Sequence, residues 1–272
     1  MTLQTPLLAV RGQATHALTH AAVASKLLIA LRGLQRQLVS SDELSVQLPL
    51  GKAVRVRRLV HRGTRRPVFK VPSIKLGRLV QCESLLECDA ALLFDASSTV
   101  QAFGEQPVQL YYGDSGDWRL HIPDFAVLID GRKAFVEIKF EKDVDADVAE
   151  RTRRLQASLA RVGWDYHLLT EANLRRGSAI DNASAILRRA RHATCDVRTL
   201  QTLERLRQGK GRTLGDFGWN THGSPEALAL ASLIITGHAG VDWWDPLTDA
   251  SAVWASPCTD EEGAQWPLVL SA

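Results

Sequence analysis

Three side chains, Asp124, Glu137 and Lys139, stand in a pattern suited to phosphodiester chemistry. Ile122-Pro123-Asp124-Phe125 opens one apolar run, and Val136-Glu137-Ile138-Lys139 sits in the next. Between them lies Asp130-Gly131, the dipeptide favoured in a two-residue type I′ hairpin turn. A turn there sets Asp124 opposite Glu137, with Cβ atoms roughly 4.5–5.5 Å apart. Glu137 and Lys139 are two apart on one strand and share its face. Opposed carboxylates repel and need a compensating charge. Magnesium supplies it, being held by one or two carboxylates plus substrate phosphates, and manganese is the expected substitute. Such a cation lowers the pKa of a water and stabilises charge growing on phosphorus. Lys139 at the same patch positions or deprotonates the attacking water, or stabilises the transition state. The competing reading is a surface salt-bridge cluster. Against it, Phe125, Val127, Phe135, Val136 and Ile138 predict a buried strand pair, where like charges without a ligand are costly.

A third carboxylate lies upstream. Glu83 and Glu87 are four apart and stack on one helix face, and spacing alone does not choose between them.

The elements that must position these groups read as α/β. Apolar spacing predicts a helix over 79–94, then strands over 108–112, 118–122, 124–129 and 133–140. A helix over 143–162 and a strand over 164–169 follow. Helical segments over 179–192, 197–208 and 225–235 come next, and residues 17–38 predict a helix at the start. His121 reads as a plain strand histidine near Asp124. Arg151, Arg153, Arg154 and Arg161 fit a phosphate contact or a solvated helix face equally well.

With 45% hydrophobic and 23% charged residues, the chain is of ordinary globular composition and long enough for a sizeable core. Four cysteines form no C-x-x-C pair, so reduced, mostly buried thiols are expected. No run of 18 apolar residues occurs, so no membrane span is expected. The apolar stretch 21–31 is broken by Lys26 and lacks a cleavage site, so no signal peptide is expected, and the location is read as cytoplasmic. No Gly-rich phosphate loop appears, so the chain is not expected to use ATP.

Net charge is only +3, but its distribution is uneven. Residues 44–82 hold no acid and ten Lys or Arg, whereas residues 213–272 hold no Lys or Arg and eight acids. Basic residues just before a candidate site point to a phosphate backbone as ligand. Arg65, Arg66, Lys70, Lys75 and Arg78 are the candidate DNA contacts.

Asp124 with Glu137-Ile138-Lys139 resembles the PD-(D/E)xK signature of restriction-endonuclease-like nucleases. Ser73-Ile74-Lys75-Leu76-Gly77-Arg78, Glu83-Ser84-Leu85-Leu86-Glu87 and Glu105-Gln106-Pro107 extend the likeness to TnsA, the endonuclease subunit of heteromeric Tn7-type transposases. The resemblance covers about residues 66–172. Its spacing from Gln106 selects Glu87 over Glu83 as the helix glutamate, leaving Glu83 and Gln106 as supporting residues. It implies a metal site of Glu87, Asp124, Glu137 and the Ile138 backbone carbonyl. It also implies hydrolysis of the non-transferred strand of double-stranded DNA at transposon ends, with a TnsB-like DDE transposase and a TnsC-like AAA+ ATPase as partners. The alternatives are a stand-alone restriction or repair nuclease and a catalytically idle DNA-binding scaffold.

The implied organisation has three parts. Residues 1–65 form a helical and basic N-terminal extension, and 66–172 a nuclease domain with a mixed sheet flanked by helices. Residues 173–272 form a small helical, winged-helix-like, partner-binding domain. In the last part, 213–219, 224–235 and 241–254 are expected to give helix, helix and wing. A helix without Lys or Arg does not contact phosphates or guanines. Five of the seven tryptophans fall at 219, 243, 244, 254 and 266, which suits a protein-binding surface.

Overall fold

A computed structural model of the chain describes residues 15–256 apart from 40, 42, 52, 58–66, 115–116 and 195. In chain order the elements are α1 (Thr15–Gln37), β1 (Leu44–Gln47), β2 (Phe69–Ser73), β3 (Arg78–Cys82), α2 (Leu85–Ala96), β4 (Val100–Glu105), β5 (Gln109–Asp114), β6 (Asp117–His121), β7 (Phe125–Ile129) and β8 (Arg132–Ile138). Then come α3 (Ala146–Ala160), β9 (Asp165–Leu169), α4 (Glu171–Leu174), α5 (Ala179–Ala190), α6 (Val197–Arg207), α7 (Pro225–Ile235), β10 (Ala239–Val241) and β11 (Val253–Ala255).

A four-stranded sheet in the order β4-β7-β8-β9 separates two apolar layers. β8 and β9 run parallel, and the other neighbours are antiparallel. All five residues of β7 are buried, as a central strand covered on both faces requires. Phe125, Val127 and Ile129 enter one apolar cluster with α2, while Ala126 and Leu128 enter the other. The second cluster holds the sheet β1-β5-β6, α1 and α3, through Leu44, Leu110, Leu31, Leu34, Leu155 and Leu159.

The turn expected from Asp130-Gly131 is present. Both residues have positive φ, 47° and 75°, as a type I′ turn demands. The ladder runs from Ile129 opposite Arg132 to Phe125 opposite Val136. Continued by one residue, it sets Asp124 opposite Glu137.

One expectation needs correction, and one strand was not expected. The helix predicted over 79–94 is a strand, β3, followed by a helix. Arg78–Cys82 pairs with β2, and the helix begins only where the Ser84 hydroxyl accepts from the Glu87 N–H as an N-cap. β4 had no sequence-based expectation, although its buried residues put it inside the sheet.

α1 also does more than extend the chain. Leu27, Leu31, Leu34 and Leu38, spaced by four, three and four, form a helical stripe that enters the second layer. In the C-terminal part, α5, α6 and α7 pack together, and one apolar cluster runs from α2 through Leu174 into all three. α7 is buried from Ala229 to Ile235. Among the described residues, no helix is long and apolar enough to cross a membrane.

Candidate active site

Alternation along the strands puts Asp124, Glu137 and Lys139 on the face that carries Ala126, Leu128 and Phe135. Their carboxylates and amine therefore meet at one edge of the second layer. The Asp124 carboxylate is steadied by its own hairpin, its Oδ2 accepting from the Ile138 N–H at 2.7 Å. In an extended strand one residue's N–H and C=O point to the same side, so the Ile138 carbonyl also opens toward Asp124. Burial, then the charges of Glu137 and Glu87, push the Asp124 carboxyl well above the usual carboxylate range.

Glu137 has the opposite balance. Burial pushes its carboxyl up, but His121, Lys139 and Arg151 outweigh burial and hold it below the usual value. Oε1 lies 3.2 Å from Lys139 Nζ and 3.3 Å from Arg151 Nη2. His121 Nε2 comes within 3.2 Å of Oε2, an ion-pair distance. It lacks hydrogen-bond alignment, so the buried Oε2 has no hydrogen-bond partner among the described residues. The contact between the two side chains is therefore electrostatic. His121 Nε2 instead shares a 2.8 Å hydrogen bond with the Tyr166 hydroxyl. Lys139 is partly exposed, and although burial lowers its pKa, Glu137 and Asp124 raise it further, keeping it protonated.

Glu87 arrives from α2, whose apolar side packs in the other layer. It feels the Lys139 charge, and Asp124 feels its own. Its carboxylate, however, folds back to cap its own helix. Oε2 accepts from the Glu83 N–H and Oε1 from the Ser84 hydroxyl, both at 2.9 Å. Among the described residues, no three His, Cys, Asp or Glu side chains converge as ligands of one ion. Glu87 is thus near the pair but not joined to it. Burial raises its carboxyl above the usual range.

Glu83 and Gln106 brace this arrangement. Glu83 Oε1 accepts from Gln106 Nε2 and from Arg57 Nη1, both at 2.9 Å. Gln106 has a left-handed φ of 44°, a conformation that persists in a non-glycine residue only when its surroundings enforce it. Its N–H donates to the Asp124 carbonyl at 2.8 Å and its own carbonyl accepts from Val56. The strand entering Asp124 and the turn entering Glu87 are therefore tied through one residue.

The proposed DNA contacts divide. Lys70 is exposed on β2. Arg78 is spent on a bidentate contact with buried Glu105, at 2.6 and 2.7 Å. Lys75 corrects its expectation outright, because it points inward and not to phosphate. Its Nζ donates to the Phe94 carbonyl at 2.6 Å and also to that of Ser97. Arg65 and Arg66 lie outside the described residues.

Burial lowers the Lys75 pKa to about 7, opposed by Asp95. Above pH 7 the unfolded chain then binds more protons than the folded one, so stability rises with pH up to the free-lysine value. We expect the melting temperature of Lys75→Met, relative to wild type, to fall behind steadily from pH 7 to pH 10. A constant difference would refute this.

Sequence reasoning missed Tyr166 and left His121 and Arg151 open, the first as a plain strand histidine and the second as either a phosphate contact or a solvated residue. The signal for Arg151 was present. It lies three residues after buried Val148 and four before buried Leu155, on the inner stripe of α3.

No curated protein matches this chain. Residues 97–171 match the family described as TnsA-like endonuclease N terminal, a stretch that contains Gln106, Asp124, Glu137 and Lys139 and begins after Glu87. The facing acids and the lysine all lie inside that stretch, which is similar to the TnsA-like endonuclease N-terminal domain.

Proposed function

We propose that this protein is a magnesium-dependent endonuclease that hydrolyses the non-transferred strand of double-stranded DNA at transposon ends in the cytoplasm. It acts beside a TnsB-like DDE transposase and a TnsC-like AAA+ ATPase. One observation carries the reading: two facing carboxylates meet at one edge of the sheet, and among the described residues Asp124 has no ion-pair partner while Glu137 Oε2, 3.2 Å from the His121 ring, accepts no hydrogen bond.

Oxygen donors of this kind suit a hard divalent cation, and magnesium needs only one or two carboxylates because it keeps several waters. Asp124, Glu137 and the Ile138 carbonyl would hold it. Glu87 would complete the set only by giving up its contacts with Ser84 and Glu83. When bound, the cation activates water and stabilises the charge on the phosphoryl oxygens. The chain's own groups do the rest. Lys139 presents a fixed positive charge where the attacking water and the scissile phosphate meet. Gln106 and Glu83 hold the two acid-bearing segments in place, and Lys70 offers an exposed charge for the backbone.

The C-terminal part supports a winged-helix-like reading. α6, the isolated bridge between Thr213 and Ala252, a short 3₁₀ turn, α7 and the β10–β11 hairpin follow in that order. Buried α7 has no basic side chain to read DNA with, so we assign residues 173–272 to partner binding. Trp254, half exposed on β11, is a candidate anchor.

The test is a strand-resolved cleavage assay on a transposon-end duplex with magnesium, with and without the partner proteins. We expect cleavage of one strand that EDTA abolishes. Cleavage insensitive to EDTA, or none with the partners present, would overturn the proposal. Full activity on naked DNA without partners would instead indicate a stand-alone nuclease.

A further inference from the structure

The charges around the site are not symmetric. Among the described residues neither Asp124 nor Glu87 has an ion-pair partner, whereas Glu137 alone faces Lys139, Arg151 and the His121 ring. The cationic side chains therefore all gather on the Glu137 flank. Arg151 is the unexplained member of the positive flank. It lies on α3, outside the hairpin that supplies the acids, with its side chain about a quarter exposed. It spends one guanidinium nitrogen on Glu137, through Nη2 at 3.3 Å, a long contact for a charged pair, and also acts on the Tyr166 hydroxyl. Its Nε is buried without a hydrogen-bond partner. A buried unsatisfied donor on a charged group is costly, and a guanidinium fork matches two phosphate oxygens at once.

We propose that Arg151 is a catalytic residue whose guanidinium binds the non-bridging oxygens of the scissile phosphate. The inference rests on the nuclease reading above and adds a substrate contact from a helix outside its signature. In the structure Glu137 Oε1 stands in for that phosphate, holding the fork at the site. Lys139 is a compact point charge and cannot replace a planar two-oxygen clamp. The pairing of His121 with Tyr166 leaves Arg151 and Lys139 as the two strong donors on this flank.

Arg151→Gln and Arg151→Lys, compared with wild type, test this in two measurements. The first is single-turnover cleavage of the end duplex, and the second is Mn2+ affinity by electron paramagnetic resonance. Loss of a charge-stabilising donor predicts a rate fall of about 10²–10³-fold for Arg151→Gln. Little of it should return in Arg151→Lys, and Mn2+ affinity should hold within about threefold or tighten, far from the 10–100-fold loss of a supporting residue. An unchanged rate would overturn the proposal. So would a joint loss of rate and Mn2+ affinity, because Arg151 would then merely position Glu137. Asp124→Asn in the same series separates the two levels. If it is active, the nuclease reading fails with the inference; if it is inactive while Arg151→Gln cleaves normally, only the inference fails.

Discussion

Asp124→Asn should lower DNA cleavage by about 10³-fold or more, the scale of several kcal/mol of charge stabilisation. The same substitution should make the protein more stable once the pH exceeds the range in which Asp124 titrates. The Asp124 carboxyl titrates above its unfolded value, so the folded state binds the extra proton in that window. Its contribution to stability is full below the unfolded pKa and is lost as pH rises through the folded one. Above that window the wild type carries a charge beside Glu137 and Glu87, and the amide removes it. A divalent cation should relieve the same repulsion. At about 100 times its dissociation constant it adds about 2.7 kcal/mol, or about 5–10 °C of melting temperature for a chain this size. That gain should vanish in Asp124→Asn. The measurements are thermal unfolding with and without Mg2+ and a cleavage assay. A variant that cleaves, or a wild type whose melting point ignores Mg2+, would contradict this account. Activity and stability opposing one another at a single residue is the expected cost of a working site.

The largest loss of stability is expected at Asp95. This carboxylate is fully buried and accepts three hydrogen bonds, from the Ser73 hydroxyl at 2.7 Å and from the N–H groups of Ile74 at 2.7 Å and Lys75 at 2.9 Å. It fixes the turn between β2 and β3 and offsets the inward ammonium of Lys75. Asp95→Ala strands two amides and the Ser73 hydroxyl. Each buried donor left unsatisfied costs about 1–3 kcal/mol, which should lower the melting temperature by about 10 °C. Asp95→Asn keeps the shape and some acceptors and should cost less. A melting point within about 2 °C of wild type for Asp95→Ala would show that the turn is held by something else.

How far such features were legible in the sequence depended on their range. The hairpin was legible because Asp130-Gly131 dictates a two-residue turn, and that turn fixes which residues face each other across five pairs. Helices α3, α5, α6 and α7 were legible from their apolar stripes. β4 was not, because a strand buried on both faces loses the alternation that marks a half-exposed one. Lys75 was read as a DNA contact because a basic run looks solvated. Its inward turn depends on Asp95, twenty residues away in sequence and set by the packing of α2. Glu87 lies near the acids, yet the direction of its carboxylate follows from a cap formed with Ser84, a choice between rotamers that spacing does not reveal. His121, Arg151 and Tyr166 come from three separate elements and meet only once the second layer has formed.

The apolar cluster that continues from α2 into α5, α6 and α7 has a consequence for anyone building chimeras. Glu87 rides on a helix whose rear surface is seated against Ala183, Ile186 and Leu187 of a segment far downstream. A transplant of residues 66–172 into another scaffold would leave that seat vacant and let the helix drift, carrying its glutamate out of alignment with the hairpin. The cutting module is therefore best exchanged together with the helices behind it.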